Sequence, residues 1–556
     1  MHMRICAYDV TRAHSTGSVR RRPRAILSAV TRRLPRTPAG PGATTPAGAP
    51  VRPRRRRHGM LRRHLFGCMV IVIATATAIS VAAINVVSTI AADLALGGKA
   101  LDSTFLTAAK AGAAQTILVV GDDHIGPTTT YSTGAEQTVN GVHLLHADTF
   151  MLVRMDPSQS QTSILSIPRD LLVNFTWKGQ LYTDQKFNSA YSIGGIDLVK
   201  KVVLAYLPGI TINHEIDFNF ASFLGLVDAI GCVYVDVDRR YLNDSDPTYQ
   251  FINVEPGYQR LCGNQALSYV RYRHTDSDFV RVARQQDFIR QAKEQLGVWG
   301  FLTKYNQLAK AFGRAVGTDI RSDSAVAQLL ELAAFSLSRP VRDVPFQYTN
   351  PAYQINTPAG PEEAVYATTR NIQASIDDFL YQAPRAVVPH ASPRSVHARH
   401  VHHHTAASTT GATEDLYPLS AGVTQPALAL TVDVPFPVDL PSVQTGPATP
   451  NDFHAYTIRD EQNRVRYGYR IDWSAGSEGE YYGIEGMNWT DPPLFANPSA
   501  TSTIGGRTYM FIDDGSAFHD IGWREGGVLY WVSNTLNETL SNAQMLTIAE
   551  SAKPLH

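Results

Sequence analysis

Arginine side chains are concentrated in residues 267–286, which read LSYVRYRHTDSDFVRVARQQ. Arg271 and Arg273 are two residues apart, and on an extended segment this spacing places both guanidinium groups on one side. Each guanidinium presents planar, bidentate donors, so arginines that converge on one point suit a phosphate group. The stretch therefore indicates an anion-binding site.

The second half of the same stretch has helical spacing. Arg281 and Gln285 are four residues apart and share a helix face, and Arg284 lies three residues beyond Arg281. The spacing equally fits a solvated surface face in which Asp276 and Asp278 are the salt-bridge partners. Spacing alone does not choose between the two interpretations.

Two further segments place single cations at turns. In SIPRD, a strand ends in proline, and Arg169 follows directly at the end of that strand. In KFNSAY, Lys186 precedes Gly194 and Gly195, which permit a tight turn beside a bound phosphate. A lone Arg or Lys in a loop is usually only solvated, so each segment is a weak indication by itself.

Two aspartates adjoin short apolar strands. Asp123 lies in GDDH and Asp148 in HADT. Paired carboxylates near phosphate-binding cations are the groups with which proteins hold Mg²⁺. The alternative is that each caps a turn.

Charge divides the 556-residue chain unevenly. Residues 1–63 contain sixteen Arg and one acid, Asp9, which gives +15 in a chain of net charge +1 and leaves −14 for the remainder. An uncharged apolar run follows, and we predict a transmembrane helix at residues 64–92. The arginines before it keep the N-terminus cytoplasmic and export the rest. A cleaved signal peptide is the competing interpretation, but the run exceeds a usual signal core.

The first 63 residues are predicted to be a disordered basic arm, or in large part untranslated if Met60 is the true start. Of the four cysteines, only Cys232 and Cys262 lie beyond the predicted span. Two exported cysteines indicate a disulfide, and two buried free thiols are the alternative.

Apolar patterns predict alternating strands and helices, and hence an α/β layered domain at residues 115–382. The predicted strands are Ile117–Val120, Phe150–Arg154, Ser163–Ile167 and Val233–Val237, and the predicted helices are Ile196–Leu207, Phe220–Ile230, Asn264–Val270, Val280–Leu296 and Ser324–Leu337. Residues 383–426 are a low-complexity linker with too few apolar residues for a core. Residues 427–556 are predicted to form a β-rich accessory domain closed by a helix near Asn542–Ala552, with a binding or spacer role.

The ordered series GDD, HADT, SIPRD, KFNSAY, IDFNF, LVDAIGCVYVDV and LCGNQALSYVRYRHTDSDFVRVARQQ resembles the LytR-CpsA-Psr family of cell-wall glycopolymer transferases. It covers residues 117–292. SIPRD in combination with the arginine series is specific to that family, whereas GDD or KFNSAY alone is not. The resemblance implies a three-layer α/β/α domain with a central mixed sheet. An apolar channel for a polyprenyl tail and a pyrophosphate at its mouth are also implied.

The resemblance assigns roles residue by residue. Asp123 and Asp148 match the acids that hold Mg²⁺. The positions that contact the pyrophosphate are matched by Arg169, Lys186, Arg271, Arg273 and Gln285, and further polar positions of the catalytic site by Asp278 and Arg281. His146 and Ile125 stand where the family often has arginine, which puts two phosphate contacts in doubt.

The implied reaction attaches a polyprenyl-pyrophosphate-linked glycopolymer to a cell-wall glycan, peptidoglycan or arabinogalactan, at the cytoplasmic membrane. A non-catalytic sensor of lipid-linked glycan, or an envelope regulator, is the alternative. A DNA-binding role is disfavoured, because the basic arm has no helical reading motif and the folded part is acidic and exported.

Overall fold

The computed structural model describes residues 88–89, 91–92, 100–110, 112–122, 124–125, 130–131, 138–139, 142–143, 147–244, 251–273, 276–337, 339, 341–357, 360–381, 415–446, 448–475 and 480–555. All of them belong to one compact unit, residues 74–556. The predicted arm, nearly all of the predicted span and most of the predicted linker lie outside the described residues. Within the described part of the chain, no helix is long and apolar enough to cross a membrane.

The first part of the described chain alternates strands and helices. Its main strands are β1 (Gln115–Asp122), β2 (Ala147–Asp156), β3 (Gln161–Ser166), β4 (His214–Phe218), β5 (Val233–Val237), β6 (Gly257–Leu261), β7 (Val316–Thr318) and β8 (Val341–Val344). Its helices are α1 (Ser189–Tyr206), α2 (Phe220–Ile230), α3 (Gly263–Arg271), α4 (Asp278–Ala315), α5 (Asp323–Leu337) and α6 (Thr369–Leu380). Short strand pairs join Leu172–Trp177 to Gln180–Lys186, Tyr241–Asn243 to Ile252–Val254, Asn350–Thr357 to Gly360–Tyr366, His124–Ile125 to Thr130–Tyr131, and Thr138–Val139 to Val142–His143.

Six strands form the central sheet in the order β7-β4-β1-β2-β3-β8. The β1–β4 and β3–β8 pairs are parallel and the other three are antiparallel, so the sheet is mixed. Because side chains alternate along a strand, β1 buries Leu118 and Val120 against α1 and α6, and Ile117 against α5. Helices therefore cover both faces, and the predicted α/β/α architecture is confirmed.

Local signals account for the element boundaries. Helix α2 begins at the Asn219 cap, whose side chain accepts a hydrogen bond from the Ser222 N–H, and ends at Gly231 with φ 90°. Its bounds match the predicted helix. Helix α4 contains a break at Gly297, where φ is 52°, one residue beyond the predicted end at Leu296. Strands β5 and β6 pair antiparallel, and a disulfide joins Cys232 to Cys262 across their ends.

The C-terminal part is a seven-stranded antiparallel sheet, as the β-rich prediction requires. Its strands are β9 (Thr449–Arg459), β10 (Val465–Ser474), β11 (Tyr481–Met487), β12 (Ala500–Ile504), β13 (Arg507–Asp514), β14 (Ala517–Glu525) and β15 (Val528–Ser533), in the order β9-β10-β11-β15-β14-β13-β12. Helices α7 (Ala421–Asp433) and α8 (Asn542–Ser551), a 3₁₀ turn at Pro493–Phe495 and the strand pairs Leu416–Pro418 with Val443–Thr445 and Asp439–Leu440 with Lys553–Pro554 complete it. Ordered elements thus begin at Leu416, inside the stretch assigned to the linker.

The β-rich module packs directly on the α/β domain. Arg470 of β10 is fully buried and pairs through Nη1 with Asp236 of β5, at 2.8 Å, and with Glu485 of β11, at 2.7 Å. The Trp531 indole N–H donates to the other oxygen of Asp236 at 2.9 Å. Tyr234 and Tyr258 of the α/β domain share one apolar cluster with Trp531. We call this contact the junction.

Candidate pyrophosphate site

The topology brings three separate segments of the sequence together. Strands β2 and β3 are antiparallel, so the start of β2, with Asp148, lies beside the end of β3. The Ile167 N–H donates to the Phe150 carbonyl at 2.8 Å, which fixes the segment that carries Arg169. The first turn of α4 adds Asp278 and Arg281.

Asp148 is held by two guanidinium groups. Nη1 of Arg169 lies 2.5 Å from Oδ1 of Asp148, and Nη1 of Arg281 lies 3.7 Å from Oδ2. Nη2 of Arg281 also donates to the Asp148 carbonyl at 3.2 Å. Arg281 therefore ties the first turn of α4 to the first residues of β2.

Asp278 is the second carboxylate of the cluster. Its Oδ1 lies 2.6 Å from Nη2 of Arg281, 3.3 Å from Nε of Arg169 and 3.9 Å from Nε of Arg273. Arg169, Arg273 and Arg281 face Asp148 and Asp278, so three cations meet two acids. We call these five residues the arginine cluster. Its three guanidinium groups offer planar donors of the kind that bind an anionic ligand.

Exposure within the arginine cluster is graded. Side chains of Arg281 and Arg169 are 2% and 14% exposed, while those of Asp148 and Arg273 are 43% and 45% exposed. Nε of Arg281 is buried and has no hydrogen-bond acceptor among the described residues, whereas Nε of Arg169 lies 3.3 Å from Oδ1 of Asp278. Donor capacity therefore remains at the buried base of a site that opens to solvent.

The electrostatics of the cluster keep Asp148 ionised. Partial burial acts to raise the pKa of its carboxyl, but Arg281, Arg169 and Arg273 together hold that pKa at about 2. Burial in turn lowers the pKa of Arg281, against the opposing effect of Asp278 and Asp148. A carboxylate with so low a pKa is a poor proton acceptor at neutral pH and acts as a fixed negative charge.

Lys186 lies beside the cluster, between two carboxylates. Its Nζ lies 3.5 Å from Oδ1 of Asp170, whose other oxygen is 3.5 Å from Nε of Arg169. Nζ also lies 3.0 Å from Oε2 of Glu362, on the strand Gly360–Tyr366. The structure thus brings Lys186 beside Arg169, as the family resemblance implies. The sequence reasoning missed Glu362, because 176 positions separate it from its partner and nothing local signals the contact.

Gln285 and Arg271 lie on the two helices beside the cluster. The Thr149 hydroxyl donates to Oε1 of Gln285 at 3.2 Å, and Nε2 of Gln285 donates to the Val270 carbonyl at 3.1 Å. The guanidinium carbon of Arg271 lies 4.0 Å from the centre of the Phe220 ring. The expectation of an extended segment at Arg271 and Arg273 is wrong, because α3 continues through Arg271. Arg273 joins the cluster, whereas the described contact of Arg271 is with Phe220.

Arg284 belongs to a different environment from Arg281. It is fully buried, pairs with Asp276, and donates through Nη1 to the carbonyls of Tyr269, at 3.1 Å, and Tyr272, at 2.8 Å. Asp276 also pairs with Arg239. Asp276 and Asp278 are thus both salt-bridge partners, of Arg284 and of Arg281, but both arginines are buried rather than on a solvated face.

Only one of the two expected Mg²⁺ ligands can be placed. Asp123 lies outside the described residues, as does His146, and the side chain of Ile125 is not described. Among the residues the structure does describe, no group of three or more His, Cys, Asp or Glu side chains could hold a metal ion. Asp148, ionised and partly open to solvent, has the chemistry of a single Mg²⁺ ligand.

Comparison with solved structures gives only a partial superposition. TagV of B. subtilis is 22% identical, with a TM-score of 0.39, and the match covers 49% of this chain and 97% of that one. TagT bound to LI-WTA is 22% identical, with a TM-score of 0.35, over 48% of this chain and 89% of that one.

Sequence relatives match about a third of the chain. Two of them are polyisoprenyl-teichoic acid–peptidoglycan teichoic acid transferases TagU. The protein of Bacillus cereus is 30% identical to this chain over 179 residues, and that of Halalkalibacterium halodurans is 33% identical over 183 residues. These matches cover 32% and 33% of this chain, and only 56% and 57% of the relatives. The profile of the LytR_cpsA_psr family matches residues 81–378, more than half of the sequence. On this match, the chain is a member of the LytR-CpsA-Psr family.

Proposed function

We propose that this chain is a membrane-anchored phosphotransferase that moves a glycopolymer from a polyprenyl pyrophosphate carrier to a cell-wall glycan. The observation that carries the proposal is the arginine cluster, in which Arg169 and Arg281 converge on Asp148 at the edge of the central sheet. Planar guanidinium donors of this kind match the oxygens of a pyrophosphate. The names of the TagU relatives, which state transfer of teichoic acid to peptidoglycan, support the same class of reaction.

The reaction exchanges the phosphoanhydride bond of the pyrophosphate for a phosphodiester bond to the acceptor. A sugar hydroxyl of the acceptor attacks the glycan-linked phosphorus, a new P–O bond forms, and the bond to the oxygen of the lipid-linked phosphate breaks. The hydroxyl proton passes to a base, and polyprenyl phosphate leaves. Arg169, Arg273 and Arg281 stabilise the negative charge that develops on the phosphoryl and leaving oxygens.

We propose Mg²⁺ as the cofactor, with Asp148 and Asp123 as its protein ligands. Bound Mg²⁺ would neutralise part of the pyrophosphate charge and orient its oxygens. The contribution of this chain is to keep Asp148 ionised through its two arginine partners. Asp148 is 43% exposed whereas its partner Arg281 is 2% exposed, so the carboxylate lies on the solvent side of this ion pair.

The membrane anchor remains part of the proposal. Residues 64–92 are expected to span the cytoplasmic membrane with the basic arm inside and the described domain outside. This orientation places the arginine cluster on the side where a lipid-linked donor meets the wall. An exported reporter fused after Ala100 is expected to be active and one at Gly59 inactive, and activity at Gly59 would reverse the orientation.

Transfer is distinguished from passive lipid binding by the product. The full-length chain in a lipid nanodisc is given a polyprenyl-pyrophosphate-linked oligosaccharide, soluble peptidoglycan chains and Mg²⁺. Mass spectrometry is expected to find a phosphodiester-linked conjugate and one polyprenyl phosphate per conjugate. Donor that stays bound and intact, with no conjugate formed, would contradict the enzyme and support a sensor of lipid-linked glycan.

A matched pair of variants locates the chemistry. Asp148→Asn keeps the shape of the side chain but removes the charge, so conjugate formation should fall by roughly a hundredfold, the order for loss of one charged group at such a site. Asp156→Asn changes the last residue of the same strand, where Asp156 pairs with Arg154 at 2.9 Å, and should leave transfer unchanged.

A further inference from the structure

We propose that Tyr353 and Tyr366 form a platform that binds the sugar rings of the acceptor glycan. The inference rests on the proposed function and adds to it a location for the second substrate. Both residues lie on the hairpin formed by Asn350–Thr357 and Gly360–Tyr366. We call this the acceptor hairpin.

The acceptor hairpin is attached to the segment that carries the site cations. The Val365 N–H donates to the Asp170 carbonyl at 2.8 Å, and Val365 bridges Leu171 in a parallel pair. Asp170 directly follows Arg169. The second strand of the hairpin therefore runs alongside the turn that presents the principal cation of the arginine cluster.

Side chains make a second link between hairpin and site. Glu362 pairs with Lys186 at 3.0 Å, and Lys186 lies 3.5 Å from Asp170. Glu362 and Tyr366 are four residues apart on one strand, so they point to the same face of the hairpin. At roughly 3.3 Å per residue, the tyrosine is about 13 Å along the strand from this ion pair. That length is two to three sugar units.

A third link lies just before the hairpin. The Tyr348 ring stacks on the Phe279 ring, with centroids 4.4 Å apart and planes inclined by 25°. Phe279 directly follows Asp278 of the arginine cluster. The base of the hairpin is thus held against the first turn of α4, which makes it one wall of the approach to the cluster.

The two tyrosines have the geometry of a sugar-binding surface. Their ring centroids are 5.3 Å apart, with planes inclined by 30°, so the two rings pack on each other as one aromatic pair. Tyr353 is 42% exposed and Tyr366 is 38% exposed, so the pair presents aromatic surface to solvent. A pyranose ring has an apolar C–H face that packs on such rings and a rim of hydroxyls that the tyrosine hydroxyls can bond.

The acceptor, and not the donor, is the glycan assigned to this platform. The donor is already fixed by its pyrophosphate in the arginine cluster, whereas the acceptor is an uncharged hydroxyl that brings no group for the cations to hold. A glycan chain that lacks a pyrophosphate needs contacts along its length to orient one hydroxyl at the phosphorus. An aromatic surface continuous with the site supplies them.

The test separates donor from acceptor in the full-length chain. Acceptor-dependent conjugate formation and acceptor-independent release of polyprenyl phosphate to water are both measured, with soluble peptidoglycan glycan chains as the acceptor probe. In Tyr353→Ala/Tyr366→Ala, the acceptor KM should rise about tenfold, as expected for loss of two aromatic contacts. Donor KM and the release to water should remain unchanged. Tyr353→Phe/Tyr366→Phe should recover most of the loss, because the stacking face is restored.

Control variants and opposite results complete the design. Tyr417→Ala removes a tyrosine that is 53% exposed on the β-rich module and should leave every parameter unchanged. An unchanged acceptor KM in a folded double Ala variant overturns the platform, and so does a rise in donor KM. If the wild-type chain makes no conjugate at all, the proposed transfer fails, and calorimetric binding of the glycan chains still tests the platform separately.

Discussion

The arginine cluster and the junction are built from the same chemistry but have different access to solvent. In both, an arginine side chain at most 2% exposed contacts two carboxylates: Arg281 contacts Asp148 and Asp278, and Arg470 contacts Asp236 and Glu485. At the junction, both acids are at most 6% exposed. In the arginine cluster, Asp148 is 43% exposed.

The partners of each acid show what the difference means. At the junction, the Trp531 indole and the Tyr456 hydroxyl donate to the remaining oxygens of Asp236 and Glu485, at 2.9 and 2.7 Å. Every arginine nitrogen there also donates, to a carboxylate, the Asp238 carbonyl or Ser533. In the arginine cluster, by contrast, Nε of Arg281 is buried and makes no hydrogen bond to a described residue. A saturated charge network holds two parts of a protein together, whereas an unsaturated and open one can bind a ligand.

The largest expected effect on stability is at the junction. Arg470→Ala leaves Asp236 and Glu485 buried without their cation, which should lower the free energy of unfolding by about 3–5 kcal/mol. Arg464→Ala removes an ion pair with Asp460 in which the arginine is 60% exposed, and should cost less than about 1 kcal/mol. Urea unfolding of the two variants measures the contrast. Equal, small losses would show that the junction charges do not hold the module.

Loss of the disulfide should have the next largest effect on the free energy of unfolding. The bond joins Cys232 to Cys262, 30 residues apart, at one end of the β5–β6 pair, and this pair carries Asp236 and Tyr258 at the junction. Closing such a loop contributes roughly 3 kcal/mol in the chain-entropy account. Cys232→Ser/Cys262→Ser should therefore unfold at lower urea concentration. Two free thiols in a non-reducing mass measurement of the exported wild type would contradict the bond.

The response to pH should have opposite signs at the two regions. Burial, opposed by Arg290 and reinforced by Glu538, raises the pKa of Asp343 at the junction from 3.8 to about 7. Its main-chain N–H donates to Asp514 at 2.8 Å. The folded state then binds more protons than the unfolded state, so this stability is complete below about pH 4 and is lost as the pH rises towards 7.

Asp148 has the reverse linkage, because its pKa is lowered to about 2. Its contribution is present above about pH 4 and is lost as the pH falls towards 2.

The raised pKa of Asp343 predicts the behaviour between pH 5 and pH 8. Over that range the free energy of unfolding should decline by an amount on the order of 1–2 kcal/mol, and Asp343→Asn should reduce that decline. A decline of the same size in Asp343→Asn would assign it to other groups.

The parts of the fold set by local signals were predictable from the sequence. Helix α2 has its cap at Asn219 and its stop at Gly231, and its predicted bounds Phe220–Ile230 are those observed. Strand β5 was also predicted at its observed bounds, Val233–Val237, because a run of apolar residues follows that glycine.

Contacts between distant segments were not predictable. Arg281 and Arg284 look alike in the sequence, yet they have different partners. Arg281 belongs to the arginine cluster, whereas Arg284, about one helical turn later, is buried with Asp276. One of the two carboxylates that Arg470 contacts, Asp236, lies 234 positions away, so the role of Arg470 depends on how the β-rich module packs on the α/β domain. The family resemblance supplied the candidate residues, and only the fold showed that Arg271 continues a helix and stacks on Phe220.

The central claim is that the cations of the arginine cluster stabilise the pyrophosphate during transfer. It is tested most directly by Mg²⁺-dependent release of polyprenyl phosphate from the full-length chain carrying Arg169→Ala, Arg271→Ala, Arg273→Ala or Arg154→Ala. Loss of one charged stabiliser should lower turnover about a hundredfold, which is about 2.7 kcal/mol in the barrier. We expect that loss for Arg169, Arg271 and Arg273. Replacing these arginines with lysine instead of alanine should recover little of the lost turnover, since lysine cannot form the bidentate contact. Arg154, paired with Asp156 at the far end of β2, should be dispensable. Full turnover in Arg169→Ala/Arg273→Ala, with an unchanged melting temperature, would contradict the account.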